Sequence, residues 1–279
     1  MILVSGATGN VGRHVVDQLL SHGTEVRALT RDPAASGLPS AAEPVTGDLT
    51  RPETVAHAFR DVDVLFLFPV PGTAGPILRV ARDHGVRKVV LLSSAAVEYR
   101  TPGADNAIVA AHRDLEHDVA SSGLEWTLLR PCGFAANTRQ WAPQIRADGV
   151  VRGPYAGAEM ALVHERDIAD AATRVLLTDG HEGAAYVLTG PESLTQAEQA
   201  RRIGEAIGRP VRYEELPLAA ARAQMIADGV PPSFADMSLT FQAELVGVPA
   251  AISADIEMLT GHAARGFGRW AAEHAADFR

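Results

Sequence analysis

A glycine at every third position, directly after the first apolar run, constrains this chain more than any other feature. Ile2, Leu3 and Val4 make the run, within Met1-Ile-Leu-Val-Ser-Gly-Ala-Thr-Gly-Asn-Val-Gly12. Gly6, Gly9 and Gly12 follow it, and then Val15, Val16, Leu19 and Leu20 recur at helical spacing. Strand, glycine-rich turn and helix form the context in which a glycine pattern points to a dinucleotide site. Gly6 permits a tight turn and Gly9 lets backbone approach a pyrophosphate. Gly12 lets the helix pack closely on the strand. The start of the helix offers N–H groups and the positive end of its dipole to phosphate. The spacing is Gly-x-x-Gly-x-x-Gly rather than Gly-x-Gly-x-x-Gly. A turn that binds nothing is the plainer alternative, and the placement between a first strand and a helix weighs against it.

Downstream, apolar runs alternate with helical patterns. Strands are expected at residues 24–30, 44–48, 62–68, 86–94 and 124–130. Helices are expected at 52–60, 74–84 and 105–122, the last two ended by Gly85 and Gly123. Near-continuous apolar strands separated by helices call for a parallel sheet covered on both faces, an α/β fold of the Rossmann, doubly wound kind. Past Pro131 the regularity weakens. Helices are expected at 165–178, 195–207 and 267–278, and strands at 186–189 and 211–216. Loops are expected around 149–157 and at Pro231-Pro232. The expected organisation is a nucleotide-binding domain at 1–133, rejoined by about 160–190. A discontinuous, mostly helical substrate cap at 134–279 completes it.

Bulk properties narrow the function. With 279 residues and 47% hydrophobic content, the chain can build a large core. Its net charge of −9 argues against nonspecific nucleic-acid or anionic-membrane binding. Cys132 is the only cysteine, so no intrachain disulfide can form, and no Cys/His set has zinc spacing. The N-terminal stretch lacks a signal-peptide pattern, and the apolar runs at 62–70 and 89–97 are too short to span a bilayer. A cytoplasmic protein with no metal is expected.

The second strand ends in Thr30-Arg31-Asp32. An acid here serves the ribose 2′-hydroxyl of NAD, whereas a guanidinium suits a 2′-phosphate. Arg31 favours NADP(H) over NAD(H), and Asp32 blurs the signal. A solvated surface arginine is the alternative. Asp48, after Gly47, is a candidate for the adenine amino group or a turn residue serving its own backbone.

Several segments together resemble one family. They are Ser5-Gly-Ala-Thr-Gly-Asn-Val-Gly12, Val26-Arg-Ala-Leu-Thr-Arg31, Gly47-Asp-Leu49, Ser121-Ser-Gly-Leu-Glu-Trp-Thr-Leu-Leu-Arg-Pro131 and Asp167-Ile-Ala169. Leu188-Thr-Gly-Pro-Glu-Ser-Leu-Thr195 and Gly208-Arg-Pro-Val-Arg-Tyr213 extend the set. The pattern is similar to the NmrA-like branch of the atypical short-chain dehydrogenases/reductases, including bacterial type 2 quinone oxidoreductases. The resemblance covers nearly the whole chain. It implies cofactor contacts from Gly6, Thr8, Gly9, Asn10, Val11, Gly12, Arg31, Asp48, Leu49, Phe68, Pro69, Ser93, His112, Pro131 and Phe134.

Ordinary short-chain reductases use Tyr-x-x-x-Lys. Lys88 is the only lysine here and residue 84 is histidine, so that pair cannot exist. By resemblance His112 stands at the lysine position and Ile108 at the tyrosine position. His112 is a candidate for the nicotinamide ribose or for proton donation, against a helix-surface alternative. Asn137, with donor and acceptor groups, is a candidate for a substrate carbonyl or a helix cap. Tyr155 is the preferred pocket aromatic over Trp126 and Trp141. Ser93 and Ser94 stand at the crevice rim. Cys132 is expected to be buried and inert, and Asp167 to open a helix.

The favoured function is an NADPH-dependent oxidoreductase passing hydride to a small quinone or carbonyl-type acceptor, with His112, Asn137 and Tyr155 at the catalytic site. One alternative is a non-catalytic NAD(P) sensor with a protein partner, the role of the group's fungal namesake. The other is a specialised reductase or isomerase of secondary metabolism. The expected partner is a small-molecule acceptor, with a homodimer as the candidate assembly.

Overall fold

The computed structural model describes residues 1–98 and 107–279. The chain divides into two compact units. The first comprises Met1–Pro131, Glu165–Leu188 and Asp255–His262; the second comprises Cys132–His164, Thr189–Ala254 and Ala263–Arg279.

The first unit is built on β1 (Ile2–Val4), β2 (Val26–Thr30), β3 (Glu43–Thr46), β4 (Val64–Leu67), β5 (Lys88–Leu92) and β6 (Glu125–Pro131). Two short strands of the second unit follow, β7 (Val150–Gly153) and β8 (Glu159–Met160). The chain then returns to the sheet as β9 (Ala184–Leu188). The order is β3-β2-β1-β4-β5-β6-β9, and every adjacent pair is parallel. The direction reverses at β1, between β2 and β4, which creates the crevice at the strand C-termini that such sheets use for ligands. β1, β2 and β5 are buried along their whole length, as strands covered on both faces must be.

Helix α1 (Gly12–Ser21) buries Val15, Val16 and Leu19. Helices α2 (Ala74–Asp83) and α3 (Ala107–Ala120) follow β4 and β5. The start of the expected 105–122 helix lies outside the described residues. A core of Phe59, Leu65, Ile77, Leu91 and Leu115 forms beneath these elements.

The only lysine acts inside this unit. Lys88 is 5% exposed. Its Nζ donates to the carbonyls of Val175 and, at 2.8 Å, Thr178. These groups lie at and just past the end of helix α4 (Glu165–Leu177), where carbonyls lack intrahelical partners and a cation is favoured. Burial pulls its pKa below the ordinary lysine value.

Four sequence expectations need correction, the last of them in the second unit. Residues 52–60 form two short 3-10 turns, Pro52–Thr54 and Ala56–Phe59, rather than one helix. The Thr54 hydroxyl bonds to the carbonyls of Arg51 and Asp48, and such local side-chain bonds compete with helix continuation. The 149–157 region holds β7 before its loop, paired in parallel with Arg212–Glu215. Pro231-Pro232 opens a helix, Pro232–Glu244, with Pro232 at its first position, where a missing N–H costs nothing.

The second unit packs around Trp270, Phe267 and Phe278. The Phe267 and Trp270 rings stack with centroids 5.4 Å apart. The C-terminal segment is an α-helix, Phe267–Glu273, followed by a 3-10 turn rather than one continuous helix. Among the described residues no helix is long and apolar enough to cross a membrane.

Candidate active site

The glycine turn is shaped by what its residues lack. Gly6 has φ +62°, and a Cβ there would lie 2.9 Å from the Phe68 side chain. A Cβ on Gly12 would lie 2.1 Å from the Gly6 carbonyl oxygen. Any side chain at position 12 would therefore force α1 away from the turn. Gly9 N–H donates to the Gly6 carbonyl at 3.0 Å, which closes the turn. The amides of Val11 and Gly12 have no backbone acceptor among the described residues, as the first N–H groups of a helix do not. Arg13, which sequence reasoning did not single out, reaches back so that Nη2 donates to the Thr8 carbonyl at 2.7 Å. Its charge then stands beside the turn.

Ser5 joins the two strand ends that flank the turn. It is fully buried. Its hydroxyl donates to the Phe66 carbonyl at 3.0 Å and accepts from Phe68 N–H at 2.7 Å. That tie holds the Phe68 ring, 42% exposed, over the glycines.

A cavity of about 500 Å³ opens here. It is lined by Gly6, Thr8, Gly9, Arg31, Asp48, Leu49 and Phe68 from the sequence-predicted set, together with Asp32, Ser36 and Val70. Asn10, Val11, Gly12, Pro69, Ser93, His112 and Pro131 do not line it. Val11 and Gly12 are buried, Asn10 is exposed, and Pro69 stands just after β4.

At the cavity mouth Arg31 and Asp32 behave differently. One Asp32 carboxylate oxygen accepts from the amides of Ala34 at 3.0 Å and Ala35 at 3.2 Å, so it folds its own loop. Arg31 is exposed and has no side-chain hydrogen bond among the described residues. Asp48 accepts from Thr50 N–H at 2.9 Å and Thr50 hydroxyl at 2.8 Å. Those two bonds, foremost, hold its pKa below the ordinary aspartate value; Arg31 and Arg51 add to the effect.

A second cluster lies at the ends of β5, β6 and α3. The Ser93 hydroxyl donates to Glu116 at 2.6 Å. Arg130 grips the same carboxylate with two bonds, Nε to Oε1 at 2.9 Å and Nη2 to Oε2 at 2.7 Å, and also pairs with Glu98. The two-pronged Glu116 contact is the main cause that raises the Arg130 pKa, as expected of a bidentate pair. Glu116 and Arg130 were missed as partners because nothing local in sequence links them. His112 lies one helical turn before Glu116. Burial lowers its pKa below 6.5, and its Nδ1 is buried with no hydrogen-bond partner among the described residues.

Phe134 and Asn137 fall in the second unit and line a cavity of about 220 Å³ together with Trp141. Tyr155 does not line it. Its φ is +49°, and its carbonyl accepts from Ala158 N–H and Gln196 Nε2. Of the three aromatics weighed in sequence, Trp141 is the one at this cavity. Trp126 packs against the sheet core.

The comparisons agree with a dinucleotide site. A family model described as NAD(P)H-binding matches residues 6–199. The chain belongs to this NAD(P)H-binding family. It is 39% identical to a (4-alkanoyl-5-oxo-2,5-dihydrofuran-3-yl)methyl phosphate reductase of Streptomyces griseus, over 100% of this chain and 99% of that protein. It is 33% identical to an NAD(P)H azoreductase of Xenophilus azovorans, over 100% and 99%. Among solved structures, the NADPH complex of an Escherichia coli NADPH-dependent quinone oxidoreductase superposes with TM-score 0.83. That match is at 25% identity and covers 98% of this chain and 99% of that one. The chain is an NAD(P)H-dependent oxidoreductase of the NmrA-like kind.

Proposed function

We propose that this protein uses NADPH in preference to NADH and reduces small, electron-poor conjugated acceptors, with quinones as the type case. The observation that carries the NADPH preference is the contrast at the end of β2. Asp32 spends its carboxylate on its own loop, and Arg31 stands at the cavity mouth with no side-chain hydrogen bond among the described residues. A guanidinium so placed suits a 2′-phosphate.

The residues fit a dinucleotide. Gly6 and Gly12 leave the space that a Cβ would fill, and the Val11 and Gly12 amides suit a pyrophosphate. Leu49 and Phe68 offer apolar walls. Asp48 is the candidate for the adenine amino group, although its bonds to Thr50 also serve the turn. When bound, the reduced nicotinamide supplies a hydride. His112 is assigned to the ribose as a neutral hydrogen-bonding ring, because burial keeps it largely unprotonated near neutral pH. Ser93 contributes by fixing Glu116 and so the end of β5 against α3. Pro131 ends β6 at the crevice.

Acceptor choice follows from the missing Tyr-x-x-x-Lys pair. A simple ketone needs a proton donor as the alkoxide develops. A quinone, an azo group or an unsaturated lactone carrying a second carbonyl spreads the incoming charge over its own π system. The named substrates or activities of the relatives share that property. Phe134 and Asn137 are assigned to the acceptor, since they share one cavity. Tyr155 is retained only as a secondary candidate. Among the described residues no basic side chain lines that cavity, so the phosphate ester of the Streptomyces relative is not carried over.

The test is NADPH oxidation against a panel of quinones, azo dyes and simple ketones. Quinone turnover at least ~100-fold above ketones is the expected result, a gap of about 2.7 kcal/mol in barrier. Equal rates with ketones, or tight NADPH binding with no turnover of any acceptor, would overturn the proposal. The second outcome would return the sensing alternative.

A further inference from the structure

The cavity of the second unit contains a hydrogen-bonded chain whose direction is fixed. Gln196 Nε2 lies 3.0 Å from the backbone carbonyls of both Pro154 and Tyr155. A carbonyl only accepts, so this end of the Gln196 amide is the nitrogen. The same nitrogen lies 3.0 Å from Gln242 Oε1, so its two hydrogens are shared among three oxygens; a nitrogen there would set donor against donor. That leaves the Gln242 nitrogen pointing at Ser238 Oγ, 3.0 Å away. Ser238 therefore accepts from Gln242, and its own O–H proton remains to be given elsewhere. No other side-chain hydrogen bond of Ser238 occurs among the described residues. Behind Gln196, the half-buried Tyr213 hydroxyl donates to the Pro154 carbonyl at 2.8 Å. It supports this end of the chain.

Gln196, Gln242 and Ser238 all line the cavity, with Trp141 as a flat wall. Among the described residues the lining contains no lysine, arginine or histidine. The one carboxylate among those residues, Glu159, accepts from the Ser193 hydroxyl at 2.8 Å. A fixed neutral donor with no cation selects an uncharged ligand bearing an acceptor oxygen. An anionic ligand would meet the carboxylate without a counter-charge and lose its hydration.

We propose that Ser238 is a specificity-determining residue that donates its hydroxyl proton to a carbonyl oxygen of an uncharged acceptor, with Gln242 and Gln196 as positioning residues. This rests on the reading of the cavity as the acceptor site.

Three variants test it: Ser238→Ala, Ser238→Thr and Gln242→Glu. A carboxylate at 242 still accepts from Gln196 but cannot donate to Ser238, so it captures the serine proton. Steady-state kinetics with a naphthoquinone would be measured beside calorimetric binding of the same quinone, with NADPH affinity and thermal midpoint as controls. S238A and Q242E should each raise the quinone KM and Kd roughly five- to tenfold, the worth of one neutral hydrogen bond. S238T should restore both, and NADPH affinity should not move. A ring-sulfonated naphthoquinone should bind the wild type at least ~10-fold more weakly than its neutral parent, a difference of about 1.4 kcal/mol. Unchanged quinone affinity in S238A, a Q242E variant unlike S238A, or preference for the sulfonated quinone would overturn the assignment. Wild type that turns over no quinone would fail the reductase reading, and calorimetry would still decide Ser238.

Discussion

Replacing Arg31 by alanine should separate the two dinucleotides. The guanidinium lines the cavity mouth in solvent and has no side-chain bond among the described residues. Its removal therefore breaks nothing in the fold, and the effect belongs to the ligand. A charge-assisted hydrogen bond is worth about 1.5–3 kcal/mol. Solvent screening at an exposed position brings the contribution to or just under the low end, about 1.4 kcal/mol or roughly tenfold in Kd. The assay is fluorescence titration of NADPH and NADH with wild type and Arg31→Ala. NADPH Kd should rise about tenfold and NADH Kd should stay within about twofold. Ionic strength gives an internal check. Raising it from ~0.01 to ~0.15 M shortens the screening length from ~30 to ~8 Å. The wild-type preference for NADPH should narrow, and that of the variant should not. Equal weakening of both dinucleotides, or of neither, would refute the role given to Arg31.

Other outcomes follow from single contacts. Gly12→Ala places a methyl 2.1 Å from the Gly6 carbonyl. Overpacking of this kind costs about 1–3 kcal/mol, so both the thermal midpoint and NADPH affinity should fall; an unchanged midpoint would contradict the packing role. Lys88→Met leaves the Val175 and Thr178 carbonyls without their donor. A loss of about 1–3 kcal/mol is expected by denaturant unfolding, and a neutral result would mean water replaces the ammonium. Acid should destabilise the fold through its histidines. Burial, as the largest cause, depresses His14, His112 and His181 below 6.5. The unfolded chain then binds protons that the folded one refuses, so stability is full above 6.5 and declines as pH falls through and below it. Thermal midpoints taken downward from neutral pH should show this, and His112→Gln should flatten the slope. A midpoint that rises on acidification would contradict the sign.

The reach of sequence reasoning tracked the range of the interactions involved. The turn was legible because its demands are mostly local: Gly6 holds φ +62°, and a Cβ on Gly12 would strike the Gly6 carbonyl six residues away. The parallel strands were legible because burial on both faces leaves continuous apolar runs such as Val89-Val-Leu-Leu92. Lys88 could be excluded from a Tyr-x-x-x-Lys pair, yet its service to the end of α4 spans some ninety positions and left no local mark. The Ser93–Glu116–Arg130 cluster was hidden for the same reason. The helix Asp255–Thr260 joins the first unit through Asp255, which accepts from Val187 N–H at 2.7 Å. A six-residue helix shows too little periodicity to betray such a return. Arg31 and Asp32 read ambiguously as neighbours, and only the loop bonds of Asp32 separate them.

The central claim is hydride delivery from NADPH to a conjugated acceptor by a site without a Tyr-x-x-x-Lys pair. An anaerobic single-turnover experiment tests it most directly, mixing NADPH-loaded protein with a naphthoquinone and following nicotinamide and quinol signals together. The expected result is one quinol formed per NADPH consumed, in a single phase that slows when the transferred hydrogen is deuterium. NADPH that stays bound and reduced in the presence of excess quinone would contradict it.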